Sequence, residues 1–225
     1  MQQALRHPTI LAVIGLATAV FVRENTSGVS FASDHGVIPT NVIDAWNSLI
    51  AGDVGTSTLA ALFTTISGLF LHGSPQHILM NSVFLWLFGS LVSEHLGKWW
   101  ALACFFVCGI GGFALHIFMN KASTIPCIGA SGAVAGLEGV FCGLILQWRL
   151  PWPDVWPLAR PIPPMQLAAF ALIGIGFDLY GIQQQAPRIA FAAHVGGFLT
   201  GLLISGIITQ CVSSARSWKN SRWYV

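Results

Sequence analysis

A serine between small residues lies in GASG, residues 129–132, within one of the apolar segments of this chain. Ser131 becomes a strong nucleophile only when an adjacent base takes its proton, and histidine is a common base. Taken alone, a serine in an apolar helix is usually a packing residue that bonds back to its own helix. Ser131 is therefore a candidate nucleophile only if a histidine is predicted to reach it.

Further polar side chains of the apolar segments lie in two clusters. HGSPQHILMN contains His72, His77 and Asn81, and AAHVGG contains His194. His77 and Asn81 are four residues apart and share a helix face. A single histidine in such a segment usually bonds a neighbouring helix, although ionisable residues within membrane spans are often functional. Fixed donors such as His77 and Asn81 are also what an oxyanion needs when serine attacks a carbonyl.

Composition predicts that these segments cross a membrane. Hydrophobic residues make up 54 % of the chain and charged residues 8 %, whereas soluble domains carry about 25 % charged residues. A spanning helix needs about 20 mostly apolar residues, and six segments are candidates: 8–22, 76–92, 99–119, 130–148, 165–182 and 189–209. The first is short, but no cleavage site of small residues follows it, so we interpret it as a span rather than a signal peptide.

The predicted spans form one domain over residues 1–225, because no polar linker divides them. The net charge of +2 is small and scattered, which does not favour nucleic-acid binding. The five cysteines form no CxxC pair, so neither a metal site nor another cofactor is predicted.

Basic residues predict the orientation in the membrane. With the N-terminus in the cytoplasm, seven of the ten Lys and Arg residues lie on the cytoplasmic side: Arg6, Lys98, Arg149, Arg160, Arg216, Lys219 and Arg222. The other three are Arg23, Lys121 and Arg188. This bias predicts cytoplasmic N- and C-termini and an even number of spans. The inner membrane of a bacterium is the simplest location.

Parity and helix rise then bring the polar clusters to one depth. Spans two, four and six run in the same direction, so residues near their starts lie just below the outer surface. His77, Asn81, Ser131 and His194 all lie near such starts. The first amides of span four face the same layer and carry a favourable helix dipole.

The longest connection, residues 23–75, joins spans one and two. Within it, TNVIDAWNSLIAG predicts an amphipathic helix in the membrane interface, capped by Thr40 or Asn41. The next stretch, LAALFTTISGLFLHGSPQH, is apolar but contains two glycines and a proline. It predicts a loop that dips into the edge of the bilayer and packs against the helices.

These motifs, in this order and on these spans, resemble the rhomboid intramembrane serine proteases. The resemblance covers roughly residues 62–205 and is carried by FLHG, HILMN, FGSLVSEHLG, GASG and AHVGGFLTG. It implies an all-α polytopic bundle of six transmembrane helices, with a membrane-dipping loop between the first two. It also implies hydrolysis of peptide bonds in or near the transmembrane segments of single-pass proteins in the lipid bilayer.

The resemblance implies a role for each residue of the polar layer. Ser131 corresponds to the nucleophile and His194 to its general base, and no third acidic member is expected. His77 and Asn81 correspond to oxyanion donors, together with the Ser131 amide. Gly129 corresponds to the glycine that lets the loop approach the site.

Two further positions of the motifs concern packing. Gly197 and Gly201 correspond to the small face through which span six packs closely on span four. In FGSLVSEHLG, Ser93 stands where the family commonly has glutamate, and Glu94 follows it. Either Glu94 takes the same structural role from one position later, or the chain near His95 is arranged differently.

Two carboxylates of the spans have no place in the motifs. Glu138 is seven residues after Ser131, which is nearly two turns and roughly 10 Å deeper. A structural hydrogen bond to a neighbouring span is the leading interpretation, and retention of water beneath the serine is the alternative. Asp178 on span five is expected close to the outer end, within reach of water.

Other functions remain open at this point. A catalytically inactive rhomboid-like protein that binds transmembrane helices is the main rival, although such proteins lose the serine, the histidine or the glycines. A proton-coupled transporter would use Glu138, Asp178 and the histidines. An aspartate protease is disfavoured because GIGFD is not GxGD, and a zinc protease because HExxH is absent.

Overall fold

The computed structural model describes residues 7–27, 30–153, 162–185 and 189–221, with side chains up to Cys211 in the last range. Within these ranges the secondary structure is helical, and no β-sheet is present. One isolated antiparallel bridge joins Val37 to Cys127. The helices described are α1 (Pro8–Ser27), α2 (Ala32–His35), α3 (Pro39–Ile50), α4 (Thr56–Ser67), α5 (Pro75–Leu96), α6 (Lys98–Met119), α7 (Ser131–Gln147), α8 (Pro164–Gln183) and α9 (Phe191–Ser221). A 3-10 turn, Gly68–Phe70, follows α4.

Five of these helices are long and apolar enough to cross a membrane: α1, α5, α6, α8 and the Phe191–Cys211 part of α9. The predicted polytopic membrane protein is therefore confirmed. The segment predicted as span four corresponds to α7, which is apolar but has only 17 residues. The count of six spans stays a prediction.

Helix α7 lies at the centre of the bundle. Every residue from Gly132 to Leu144 is buried except Glu138, which is partly exposed. Its most extensive contacts are with α9, followed by α6 and α5. Because α7 faces other helices rather than lipid, its position is determined by helix packing.

Glycines permit a very close approach between α7 and α9. A Cβ on Gly197 would overlap the carbonyl oxygen of Gly132, and a Cβ on Gly201 would overlap that of Gly136. The two backbones are thus in direct contact at both levels. Between apolar helices in lipid, such contact supplies dispersion energy that larger side chains would prevent.

The stretch predicted as a membrane-dipping loop is helical over its first half. Helix α4 continues to Ser67, and the regular helix ends only at Gly68. The helix continues to Ser67 because no glycine or proline interrupts it, and it ends at Gly68, one of the predicted breaks. That this connection dips into the bilayer stays a prediction.

Helix α3 begins before both of the predicted caps. Its first residue is Pro39, preceded by Ile38, and no side-chain cap is present. Thr40 and Asn41 are therefore inside the helix rather than caps. Proline suits the first helical position because it has no amide hydrogen that needs a partner there.

Near the C-terminal end of α5, Oε1 of Glu94 lies 3.6 Å from Nε2 of His7, the residue just before α1. Ser93, the residue at the position where the family commonly has glutamate, is buried. This contact joins the start of α1 to the end of α5.

Some predictions fall on residues that the structure does not describe. They concern the proline-rich connector between spans four and five, of which residues 154–161 are outside the described ranges. They also concern four of the basic residues used for orientation: Arg6, Arg160, Arg188 and Arg222.

Candidate active site

Ser131 is the first residue of α7. Gly129 two residues earlier has φ +120°, a conformation that side chains strongly disfavour. Its amide donates a hydrogen bond of 2.8 Å to the carbonyl of Gly68, which ties this turn to the 3-10 turn after α4. The turn therefore places the Ser131 hydroxyl and the first amides of α7 together at the N-terminal end of that helix.

His194 lies in the first turn of α9 and contacts side chains on both sides of its ring. Its Nε2 is 2.9 Å from Oγ of Ser131. Its Nδ1 is 2.8 Å from Oδ1 of Asp178 on α8. The side chains of His194 and Asp178 are 20 % and 16 % exposed, so this line of three polar groups is mostly shielded from solvent.

His77 and Asn81 lie in the first two turns of α5. The Ser74 hydroxyl caps this helix by accepting the amide hydrogen of His77 at 3.1 Å. A Cβ built on Gly129 would lie 2.6 Å from Nε2 of His77 and 3.7 Å from Nδ2 of Asn81. Both nitrogens therefore adjoin the turn that leads to Ser131. Nδ2 of Asn81 is buried and has no hydrogen-bond partner within the described ranges.

His72 supports this arrangement from the segment before α5. Its ring packs edge-on against His77 with the centroids 4.9 Å apart, and its Nδ1 lies 3.3 Å from the carbonyl oxygen of Phe70. Burial, and secondarily the neighbouring His77, lowers the pKa of His72 to about 4. His72 is therefore neutral at pH 7, and it packs against the ring of His77, whose Nε2 adjoins Gly129.

No three His, Cys, Asp or Glu side chains in the part of the chain that the structure describes are grouped to hold a metal ion. Burial raises the pKa of the Cys127 thiol to about 12, which keeps it protonated and unreactive.

A cavity of about 390 Å³ lies between the C-terminal ends of α6 and α8 and the N-terminal end of α9. It is lined partly by His116 and Phe191, but not by Ser131 or His194. We therefore define the site by side-chain contacts and not by this cavity.

Comparison with known proteins gives these contacts a family context. The model of the Rhomboid domain matches residues 57–211, which is more than half of the chain. The chain belongs to the rhomboid family. The matched range of this rhomboid includes all of the residues described above as adjoining Ser131, from His72 to His194.

Several curated relatives are similar to this rhomboid at low identity. Rhomboid protein 1, mitochondrial, of Saccharomyces cerevisiae is 26 % identical over 166 residues, covering 71 % of this chain and 46 % of the relative. Rhomboid protease GlpG of Yersinia pestis is 30 % identical over 169 residues, covering 70 % and 52 %. RHOMBOID-like protein 5 of Arabidopsis thaliana is 27 % identical over 144 residues, covering 64 % and 43 %. The chain spans about half the length of these relatives.

Asp178 is the residue of this site that the sequence did not reveal. The resemblance implied that no acidic side chain joins Ser131 and His194, but the structure places Oδ1 of Asp178 2.8 Å from Nδ1 of His194. Asp178 was expected close to the outer end of its span, within reach of water; its side chain is 16 % exposed and is directed toward His194. The signal was a lone aspartate in an otherwise apolar span, which is rare enough in lipid to indicate a polar partner.

Glu138 also differs from its prediction. The structure shows no hydrogen bond between its carboxylate and another described residue, so the expected structural bond to a neighbouring span is wrong. Its position two turns below Ser131 leaves it outside the group of side chains that contact one another at the start of α7.

Proposed function

We propose that this rhomboid is an intramembrane serine endopeptidase. It hydrolyses peptide bonds in or near the transmembrane segments of single-pass membrane proteins. One observation carries the proposal: Nε2 of His194 lies 2.9 Å from Oγ of Ser131, a distance suited to proton transfer between them. Two residues 63 positions apart meet at this distance in a protein whose interior holds few polar side chains.

His194 accepts the hydroxyl proton while Oγ of Ser131 attacks the carbonyl carbon of the scissile bond. The protonated imidazole then donates this proton to the leaving amine, and an acyl-enzyme on Ser131 remains. Water, activated by His194 in the same way, hydrolyses the ester and restores the free serine. No metal or cofactor enters any of these steps.

The negative charge on the tetrahedral oxygen is stabilised by donors beside Gly129. Nδ2 of Asn81 is supported in this role by having no competing partner among the described residues. His77 donates from Nε2 in the tautomer that carries its proton there. The Ser131 amide at the start of α7 adds a third donor, and the helix dipole favours an anion at that end.

The membrane supplies the remaining conditions for this activity. We place the N- and C-termini in the cytoplasm on the basis of the basic residues, with a bacterial inner membrane as the location. The catalytic layer then lies just below the outer surface. A transmembrane segment that partly unwinds at this depth presents its peptide bond to Ser131, and water for deacylation comes from the outer side.

A serine-directed fluorophosphonate tests the proposal together with cleavage of a reporter single-pass protein. The parent chain should be labelled and should cleave the reporter. Ser131→Ala and His194→Ala should each lower turnover by more than about 10⁴-fold, and the double variant should be hardly slower, because the pair acts as a unit. Ser90→Ala is the matched control, since Ser90 is a buried serine of α5 whose hydroxyl has no hydrogen-bond partner among the described residues.

The outcomes separate this activity from its rivals. Parental turnover by folded Ser131→Ala protein would refute the mechanism. A parent chain that binds the reporter but neither cleaves it nor reacts with the probe would instead identify a rhomboid that binds transmembrane helices without cutting them.

A further inference from the structure

Asp178 belongs to no motif that led to the site, yet it contacts the proposed general base. We infer that Asp178 is a positioning residue, whose carboxylate holds His194 in the tautomer able to accept the Ser131 proton. The same carboxylate stabilises the imidazolium that forms during that transfer. This inference rests on the proposed protease function and adds a third member to its catalytic pair.

The tautomer follows from the two contacts of the ring. A neutral imidazole carries one N–H and one lone pair. Oδ1 of an ionised Asp178 can only accept a hydrogen bond, so Nδ1 of His194 must carry the hydrogen across the 2.8 Å contact. The lone pair is then on Nε2, which faces Oγ of Ser131 at 2.9 Å. Without an acceptor at Nδ1, the opposite tautomer would carry its hydrogen on Nε2, the nitrogen that must accept the Ser131 proton.

Burial makes the charge of Asp178 effective. With the two side chains only 16 % and 20 % exposed, the attraction between a carboxylate and an imidazolium is screened less than it would be in water. Other titratable groups also surround the pair. His77 on α5 interacts electrostatically with His194, and Glu138 on α7 interacts with Asp178. Neither group makes a hydrogen bond to His194 or Asp178 within the described ranges. Because the Ser131 hydroxyl can either donate or accept, it is the carboxylate of Asp178 that favours one ring nitrogen for the hydrogen.

A purely structural role for the same contact makes a different prediction. Helix α8 is loosely packed, and its buried residues in the described range are only Leu167, Ala168, Ala171 and Gly181. The bond from Asp178 to His194 therefore also helps to hold α8 against α9. An asparagine of the same size would preserve this attachment, because its amide also forms hydrogen bonds. It would not preserve the negative charge, whichever way the amide is turned.

The decisive comparison is Asp178→Asn against Asp178→Glu in the full-length protein in one detergent. Fluorophosphonate labelling rate, kcat and KM for the reporter protein, and Tm are measured for each. In a serine–histidine–aspartate triad, the change of aspartate to asparagine lowers kcat by about 10⁴-fold while the geometry stays intact. We expect Asp178→Asn to lower kcat and the labelling rate by between about 10²-fold and about 10⁴-fold. KM and Tm should change little.

The kcat and the labelling rate of Asp178→Glu should be at least about tenfold higher than those of Asp178→Asn, because glutamate keeps the acceptor and the charge but displaces them slightly. Asp44→Asn, on the exposed side of α3, is the matched control and should behave as the parent chain does. Asp178→Ser is the second neutral replacement and enters the same comparison if the asparagine variant does not fold.

Each outcome decides the matter. Parental kcat in a folded Asp178→Asn or Asp178→Ser protein would overturn the inference while the protease remains established by the parent's activity. A glutamate variant no faster than the neutral variants would overturn it as well, because the charge would then have no role. A parent chain that is neither labelled nor active would overturn the proposed function itself, and the inference with it.

Discussion

Gly201→Val should inactivate this rhomboid without altering any side chain of the site. Gly201 lies on α9 two turns after His194, against the backbone of α7. A Cβ at this position would overlap the carbonyl oxygen of Gly136. Valine must therefore push α9 away from α7, and those two helices carry His194 and Ser131.

The size of the displacement follows from the neighbouring atoms. A Cβ on Gly201 would lie 2.8 Å from the carbonyl carbon of Gly136 and 2.9 Å from the amide nitrogen of Val140. Non-bonded heavy atoms prefer separations of about 3.5–4.0 Å. The helices must move apart by on the order of 1 Å, and misplacement on this scale costs about 10²-fold in rate. The overpacking should also lower the free energy of unfolding by about 1–3 kcal/mol.

The assay compares Gly201→Val with Gly206→Val, the same change on the same helix. A Cβ on Gly206 would meet no atom within 4 Å, so this variant should keep most of its activity and its Tm. Reporter cleavage and Tm are measured for both in the same detergent. Parental activity in Gly201→Val would show that the contact between α7 and α9 does not maintain the distance from His194 to Ser131.

Two further predictions concern the residues around this pair. Asn81→Ala should reduce kcat with fluorophosphonate labelling still detectable, and His77→Ala should do the same, since loss of one oxyanion donor typically costs about 2.7–4 kcal/mol; unchanged kcat in both variants would move the oxyanion site elsewhere. Glu138→Gln should keep reporter cleavage within about fivefold of the parent chain, a change of less than about 1 kcal/mol in the barrier. A proton-coupled transporter predicts the reverse, with loss of function in Glu138→Gln and none in Ser131→Ala.

The sequence alone determined the membrane class of this protein and predicted a common layer for its polar residues. Apolar length marks the candidate spans, and the predicted direction of each span follows from its order in the chain. Helix rise then predicted one layer for His77, Asn81, Ser131 and His194, because all of them lie near the starts of spans predicted as even-numbered. The glycines of this chain at positions 129, 197 and 201 were also found by motif, because close backbone approach leaves few alternatives to glycine.

Only the tertiary structure showed that α8, the helix predicted as span five, contributes a side chain to the site. Asp178 lies on α8, and a helix that is apolar on nearly all sides carries no pattern that shows which side faces the protein. The rotation of α8 about its axis is set by its packing on α9 and α7, which turns the carboxylate toward His194. Glu138 is a second case. Its distance from Ser131 along α7 followed from helix rise. Its lack of a hydrogen-bond partner within the described residues depends on which side chains the neighbouring helices present, and the sequence does not show this. Depth along a span is a local property of the chain, whereas the facing of a span is a property of the assembled bundle.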